Sequence, residues 1–154
     1  MDFGDLLTIQ NVVPLLRAKD KTEVLQQLST RAAHSTGLTQ RDVFDALLQR
    51  ERLGSTGFGR GIAIPHVKLR GLESLVCLFA RLSQPVAFDA PDGEPVDIVF
   101  LLLGPEHASG DHLKALARIS RLVRAPRALE RLRATQDREA LYAVLTEPAT
   151  SHAA

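Results

Sequence analysis

The sequence predicts an α/β domain in which helices cover both faces of a central sheet. Amphipathic helical segments occupy both ends of the 154-residue chain, and two short apolar runs lie between them at 75–82 and 96–103. Turn residues bound both runs, which is typical of strands. Because the runs are almost continuously apolar, we expect a sheet that is covered on both sides. The length suits a single domain over residues 1–154, with 147–154 as a flexible tail.

Five helices are predicted from capping residues and from apolar side chains at helical spacing. Asp20 and Thr39 are candidate N-caps of the first two, and Asp137 is the candidate N-cap of the last. Gly37 and Gly54 supply the ends of the first two helices. The approximate ranges are 21–35, the interval between Thr39 and Gly54, 111–124, 127–133 and 137–145.

Composition and charge exclude several classes of function. With 19 basic and 18 acidic residues the net charge is +1, which is too small to hold a nucleic acid through its phosphates. No apolar run approaches the roughly 20 residues that cross a bilayer, and the N-terminus lacks the layout of a secretory signal. We therefore expect a cytoplasmic protein without membrane insertion. The single cysteine, Cys77, cannot form an internal disulfide and is expected to be buried.

The segment from Gly54 to His66 has the densest glycines in the chain. Glycine lets successive backbone amides turn toward an anion, so this segment is predicted to bind phosphate. It matches neither the Walker pattern for nucleotides nor the dinucleotide pattern Gly-x-Gly-x-x-Gly. The predicted phosphate-binding residues are Ser55, Thr56, Gly57, Gly59 and Gly61.

Pro65 restricts the backbone before His66, so this histidine stands at the end of a stiff segment. A neutral imidazole is a nucleophile near neutral pH, and it suits phosphoryl relay because the phosphorus–nitrogen bond is labile. His112, at the start of the helix over 111–124, is the candidate second histidine, since a helix N-terminus also favours phosphate. A zinc site of His66, His107 and His112 is an alternative. The spacing disfavours it, because His107 and His112 would not lie on one helix face. No acidic ligand motif accompanies them either.

These residues resemble the active-site signature of a known family, the EIIA components of the bacterial phosphoenolpyruvate-dependent phosphotransferase system, of the fructose/mannitol type. Within that family the sequence is similar to the nitrogen-regulatory, PtsN-like branch. The resemblance extends from about Leu6 to Leu145, which would be the core of the domain. The stretches that carry it are 55–57, 61–66, 85–90 and 95–97.

The resemblance implies a mixed sheet with helices on both sides and phosphorylation of His66 as a tele-phosphohistidine. It implies that His112 contacts the phosphoryl group and that Arg50 supports the site. The implied partners are an HPr-like carrier (NPr) as donor, and regulatory target proteins or an EIIB domain as recipients. No cofactor and no metal are expected.

Two residues depart from the family's pattern: Val67 stands where glycine is common, and Arg60 stands where mannitol relatives have an acidic residue. We expect both to affect the choice of partner. The leading hypothesis is nitrogen or metabolic regulation through the charge of the phosphoryl group. One alternative is an EIIA subunit of a fructose or mannitol transporter, which the lack of a fused EIIB or EIIC segment disfavours weakly. The other is a phosphorylation-independent binding module or a metal-dependent hydrolase.

Overall fold

A six-stranded mixed sheet lies at the centre of the fold, seen in a computed structural model that describes residues 3–107 and 110–147. The strands are β1 (Val12–Leu16), β2 (Gly57–Gly59), β3 (Ile62–Ala63), β4 (His66–Leu69), β5 (Val76–Val86) and β6 (Val96–Pro105). Their order is β1-β5-β6-β3-β2, and β4 continues beside β6 beyond the end of β3. Strands β5 and β6 are antiparallel, whereas β1 is parallel to β5, and β3 and β4 are parallel to β6. The predicted mixed sheet is confirmed.

Six helices surround the sheet in the described part of the chain. They are α1 (Phe3–Leu6), α2 (Lys21–Thr36), α3 (Gln40–Leu53), α4 (Asp111–Arg124), α5 (Pro126–Arg133) and α6 (Arg138–Leu145). The predicted N-caps are confirmed, because the side chains of Asp20, Thr39 and Asp137 each accept a hydrogen bond from a backbone amide three residues on. Gly37 ends α2 in the left-handed conformation, with a φ of 79°.

Helices cover both faces of the sheet, as the two apolar runs predict. Alternate side chains of β6 enter two separate cores, one against α1, α4, α5 and α6 and the other against α2 and α3. The first set is Ile98, Phe100 and Leu102, and the second is Val99, Leu101 and Leu103. All six side chains are fully buried, so β6 is the strand on which both layers are built.

The short strands β1 to β4 and the short helix α1 were not predicted from the sequence. The glycine-rich segment before His66, for which no strand was predicted, contains β2 and β3, and His66 itself opens β4. These strands have only two to five residues, so they are too short to show a clear alternating pattern. Strand β1 contains Pro14, which is tolerated because β1 lies at the edge of the sheet.

Two further expectations concern Cys77 and the C-terminus. Cys77 is buried, and its burial raises the pKa of the thiol to about 12, as its apolar surroundings predict. Glu147, predicted to begin a flexible tail, accepts hydrogen bonds from Arg131 and Arg118; residues 148–154 of that tail lie outside the described residues. None of the helices described is long and apolar enough to cross a membrane.

Candidate active site

The start of β4 fixes the position and the tautomer of His66. Backbone hydrogen bonds hold the residues before it, because Ile64 donates its amide to the Thr56 carbonyl at 2.9 Å and the Pro65 carbonyl accepts the amide of Leu102 at 2.9 Å. The ring nitrogen Nδ1 of His66 lies 2.6 Å from the Ile64 carbonyl oxygen. A carbonyl can only accept, so Nδ1 carries the hydrogen and Nε2 keeps its lone pair. Nε2 of His66 is therefore the available nucleophile.

His112 is the second residue of α4, and its ring is almost completely buried, with 7% of the residue exposed. It packs on Gly104 of β6, where an added Cβ would lie 2.6 Å from the ring nitrogen Nδ1. Among the residues described, Nδ1 of His112 has no hydrogen-bond partner. Burial lowers the pKa of His112 below its ordinary value, and electrostatic interactions with His66 and Lys68 lower it further.

The two histidines lie side by side on one cavity of about 810 Å³. Their ring centroids are 5.8 Å apart, and the ring planes are tilted by 60°. Helix α3, strand β4 and helix α4 supply the walls. The lining residues are Ala46, Gln49, Arg50, Arg52, Leu53, His66, Val67, Lys68, His112 and Leu116.

Three basic residues, Arg50, Arg52 and Lys68, join the histidines on this cavity. Arg50, predicted as a supporting residue, lies in the last turn of α3, and its Nη1 donates to the Gly54 carbonyl at 2.9 Å. Lys68 was missed in the sequence analysis. It stands two residues after His66 on β4, so the alternation of side chains along a strand places it on the same face as His66. That signal could be used only once β4 was known to be a strand. The cavity thus favours an anion.

The glycine-rich residues are not brought to this cavity, because none of the five lines it. Ser55 donates its hydroxyl to the Phe88 carbonyl at 2.5 Å, and the buried Thr56 bonds to Glu51. A Cβ on Gly57 would lie 2.8 Å from Ala90. Phosphate contact by this segment stays a prediction, and the structure gives its members other partners.

The later glycines allow close packing at a turn away from His66. Gly59 has a φ of 105° and Gly61 a φ of 80°, conformations that L side chains rarely adopt. A Cβ on Gly61 would lie 2.6 Å from the guanidinium of Arg133. Arg60, between them, also has a positive φ and donates its amide to Asp92 at 2.9 Å. Of the two departures from the family's pattern, Val67 lines the cavity and Arg60 does not.

A buried carboxylate beneath the site, Glu51, was also missed in the sequence analysis. It forms an ion pair with Lys21 at 2.6 Å and accepts hydrogen bonds from the amide and hydroxyl of Thr56. Its position one residue after Arg50 gave no sign that it is buried. Only the packing of α3 on the segment after it reveals the contact.

The structure brings together only part of the histidine set considered for zinc. His107 is 95% exposed in its side chain and does not line the cavity with His66 and His112. Within residues 3–107 and 110–147, no three His, Cys, Asp or Glu side chains are placed to hold one metal ion. The arrangement described is a ring nitrogen with a free lone pair beside a buried imidazole and three cationic side chains, which suits the transfer of an anionic group.

Comparison with known proteins identifies the family. The family model "Phosphoenolpyruvate-dependent sugar phosphotransferase system, EIIA 2" matches residues 5–147. A nitrogen regulatory protein of Bradyrhizobium diazoefficiens is 51% identical over 148 residues, which is 96% of this chain and 97% of that protein. The nitrogen regulatory protein of Escherichia coli is 40% identical over 133 residues, which is 86% of this chain and 82% of that protein.

Solved structures agree with these relatives. The nitrogen regulatory protein IIA-Ntr of Neisseria meningitidis has a TM-score of 0.88 and 35% identity, covering 94% of this chain and 99% of that one. The IIA mannitol protein of Escherichia coli, at 19% identity and a TM-score of 0.76 over 90% of this chain and 98% of that one, shares the fold. The chain belongs to the EIIA 2 family of the phosphoenolpyruvate-dependent sugar phosphotransferase system.

Proposed function

We propose that this protein is a histidine phosphocarrier that accepts a phosphoryl group on Nε2 of His66 and uses it in nitrogen or metabolic regulation. The observation that carries the proposal is the hydrogen bond from Nδ1 of His66 to the Ile64 carbonyl, which leaves Nε2 as the free nucleophile. Membership of the EIIA family supports a carrier of phosphoryl groups.

The transfer needs no proton to move at His66. The lone pair of Nε2 attacks phosphorus, a phosphorus–nitrogen bond forms, and the bond between phosphorus and the donor atom breaks with its electron pair returning to the donor. The hydrogen on Nδ1 stays in its bond to Ile64 throughout. The product is a phosphohistidine substituted on the nitrogen remote from the backbone, the tele isomer, which is the isomer that the resemblance implies.

The basic residues on the cavity would stabilise the charge that arrives, about −1.5 to −2 for a phosphoryl group. Burial lowers the pKa of His112, which favours the neutral imidazole before the phosphoryl group arrives. A phosphoryl dianion beside it would reverse that effect, because a nearby opposite charge favours the protonated imidazole. His112 would then donate to the phosphoryl oxygens, while Lys68 and Arg50 lie on the same cavity as additional cations.

A protein donor fits the surroundings of the cavity better than a small molecule does. Leu53, on the cavity wall, is 86% exposed, and Leu113, beside His112, is 70% exposed. Large apolar side chains this exposed are typical of a docking surface. We infer that an HPr-like carrier such as NPr docks here, and that the recipients of the signal dock on the same face in the cytoplasm.

The regulatory branch is supported by the relatives, since those at 51% and 40% identity are named nitrogen regulatory proteins. A phosphoryl group on His66 would put about −1.5 to −2 of charge on a cavity whose wall includes the exposed Leu53. Such a change can abolish one protein interface and create another. The phosphorylation state of His66 would therefore select the partner.

A second candidate function is an EIIA subunit that passes the phosphoryl group to an EIIB domain of a sugar transporter. One observation favours it: the fructose-specific EIIA component of Haloferax volcanii is 32% identical over 152 residues, which is 96% of this chain and 98% of that protein. The chemistry at His66 would be the same, and only the recipient would differ.

The test is to incubate the purified protein with phosphoenolpyruvate, enzyme I and an HPr-type carrier, and to measure its intact mass. We expect the gain of one acid-labile phosphoryl group, and none in His66→Gln. His34→Gln is the matched control, because His34 lies on α2 outside the cavity and its loss should leave phosphorylation unchanged.

Phosphorylation of His66→Gln would contradict the proposal, and no phosphorylation by any carrier would favour a binding module that works without it. Adding a fructose-type EIIB domain separates the two candidate functions. Transfer of the label to EIIB supports the transporter subunit, whereas a stable label that changes binding to regulatory proteins supports the regulator.

A further inference from the structure

Glu51 is a buried carboxylate that joins the end of α3 to the start of α2 and to the segment that follows α3. It lies in the last turn of α3, and its side chain is 4% exposed. One carboxylate oxygen pairs with Lys21 at the start of α2 at 2.6 Å. Both oxygens lie 3.2 Å from the amide nitrogen of Thr56, and the Thr56 hydroxyl donates to one of them. A buried charge is tolerated only when it is paired and hydrogen-bonded, as it is here.

A short series of hydrogen bonds leads from this carboxylate to the His66 ring. The carbonyl of Thr56, whose amide and hydroxyl are bound to Glu51, accepts the amide of Ile64 at 2.9 Å. The carbonyl of Ile64 in turn accepts Nδ1–H of His66 at 2.6 Å. Two backbone residues, Thr56 and Ile64, therefore separate Glu51 from the imidazole.

The Ile64 carbonyl has little freedom of its own. Ile64 is 6% exposed, and the ring of Pro65 restricts the conformations available to it. The direction of this carbonyl decides which nitrogen of His66 holds the hydrogen, because the other tautomer would place two acceptors against each other. Whatever holds Thr56 in place thus also holds the His66 tautomer.

We propose that Glu51 is a positioning residue for His66: through Thr56 and the Ile64 carbonyl, it maintains the tautomer in which Nε2 is the nucleophile. Lys21 is part of the same arrangement, because it neutralises the buried carboxylate. The inference rests on the function proposed above for His66, although the tautomer itself can be observed without any phosphoryl transfer.

The chain offers a matched control in a second ion pair that holds the same segment. Asp97 accepts hydrogen bonds from Arg133 at 2.9 to 3.3 Å, and Arg133 also donates to the carbonyl of Arg60, within the turn between β2 and β3. No hydrogen bond described in the structure connects this pair to the His66 ring. Asp97→Asn therefore removes the charge of a carboxylate that supports the same segment through Arg133, and we expect it to leave the tautomer unchanged.

The experiment is 15N NMR of the histidine rings in the full-length wild-type protein and in Glu51→Gln, Thr56→Val, Thr56→Ser and Asp97→Asn. We expect wild-type His66 to be protonated on Nδ1. Glu51→Gln should mix the two tautomers, Thr56→Val should shift them in the same direction by less, and Thr56→Ser, which keeps the hydroxyl, should restore the wild-type signal. Asp97→Asn should keep the wild-type tautomer even where it lowers stability.

Phosphorylation kinetics give the second readout. Because the docking surface is untouched, Glu51→Gln should lower kcat about tenfold through misplacement of the nucleophile, and leave the KM for the donor carrier unchanged. A wild-type tautomer in both Glu51→Gln and Thr56→Val, each shown to be folded, overturns the proposal; if Glu51→Gln does not fold, Thr56→Val decides alone. A wild-type protein that no carrier phosphorylates would instead overturn the proposed function, and the tautomer shift would still be measurable.

Discussion

His66 and His112 reach the same cavity from a strand and from a helix, and their rings are held in opposite ways. The His66 ring, at the start of β4, is partly exposed, and its Nδ1 is bonded to a carbonyl of its own segment. The His112 ring, in the first turn of α4, is buried against Gly104, and its Nδ1 has no partner within the described chain. The His66 ring is thus partly exposed with Nδ1 hydrogen-bonded, whereas the His112 ring is buried with Nδ1 lacking a described partner.

The difference separates two tasks in phosphoryl transfer. A nucleophile must be ready before the donor arrives, so a fixed tautomer with a free Nε2 suits His66. A group that stabilises charge can be a buried imidazole in the resting state, because a negative charge that arrives beside it favours its protonated form. These differences support the proposed roles, in which His66 attacks phosphorus and His112 stabilises the charge.

The largest effect that this comparison predicts, apart from the loss of His66 itself, concerns the removal of His112. In His112→Ala the nucleophile and its tautomer remain, so phosphorylation should continue but slow by on the order of 10²-fold, because only charge stabilisation is lost. Rapid-quench measurement of the transfer rate checks this. His107→Ala, whose side chain is exposed and outside the cavity, is the matched control. Equal rates in wild type and His112→Ala would remove the assigned role.

A smaller effect should follow from moving His112 without removing it. In Gly104→Ala the new Cβ would lie 2.6 Å from Nδ1 of His112 and 3.2 Å from Leu75, so the ring must shift. We expect transfer to slow about tenfold, which is less than deletion of the ring costs. Gly4→Ala, where a Cβ meets nothing within 4 Å, is the control.

The double variant Gly104→Ala/His112→Ala sharpens this prediction. If Gly104 acts only by leaving room for the ring, the double variant should transfer at the rate of His112→Ala alone. A further tenfold loss would mean that Gly104 has a role of its own.

Local sequence features were sufficient to select His66 and His112 as candidate site residues. They were not sufficient to predict how the hydrogen bonding and burial of the two rings differ. Pro65 before His66 and the helix start at His112 are visible in the sequence. The absence of a side chain at Gly104 matters only because β6 passes beneath α4, and the carbonyl of Ile64 is directed only by the pairing of its segment. Both causes are tertiary contacts.

The same distinction applies to the fold. The capped helices and the two long apolar strands were predicted because each is determined by its own residues, as the N-cap bonds of Asp20 and Thr39 show. The strands β1 to β4 were missed because they are short and form through pairing with β5, with β6 or with each other. Lys68 and Glu51 escaped notice for the same reason, since each depends on a strand or a packing contact that the sequence does not display.

The smallest predicted effect is on stability as a function of pH, because only one proton is involved. The pKa of His112 is lowered in the folded protein, chiefly by burial, so the unfolded chain binds a proton more readily at this residue. The contribution of His112 to the free energy of unfolding is therefore fully present above the ordinary histidine pKa of about 6.5. It is lost as the pH falls below that value. In His112→Ala this loss should be absent, so the difference in unfolding free energy between wild type and variant should decrease between about pH 7 and about pH 5.

Urea denaturation of both proteins at several pH values checks the slope, with His34→Gln, on the exposed end of α2, as the control that should behave as wild type does. Parallel curves for wild type and His112→Ala would show that the buried ring does not resist protonation, and the contrast between the two histidines would fail. In the phosphorylated protein the slope should weaken or reverse, because a phosphoryl dianion beside His112 favours its protonated form. Such a reversal would show that the negative charge of the phosphoryl group favours protonation of His112.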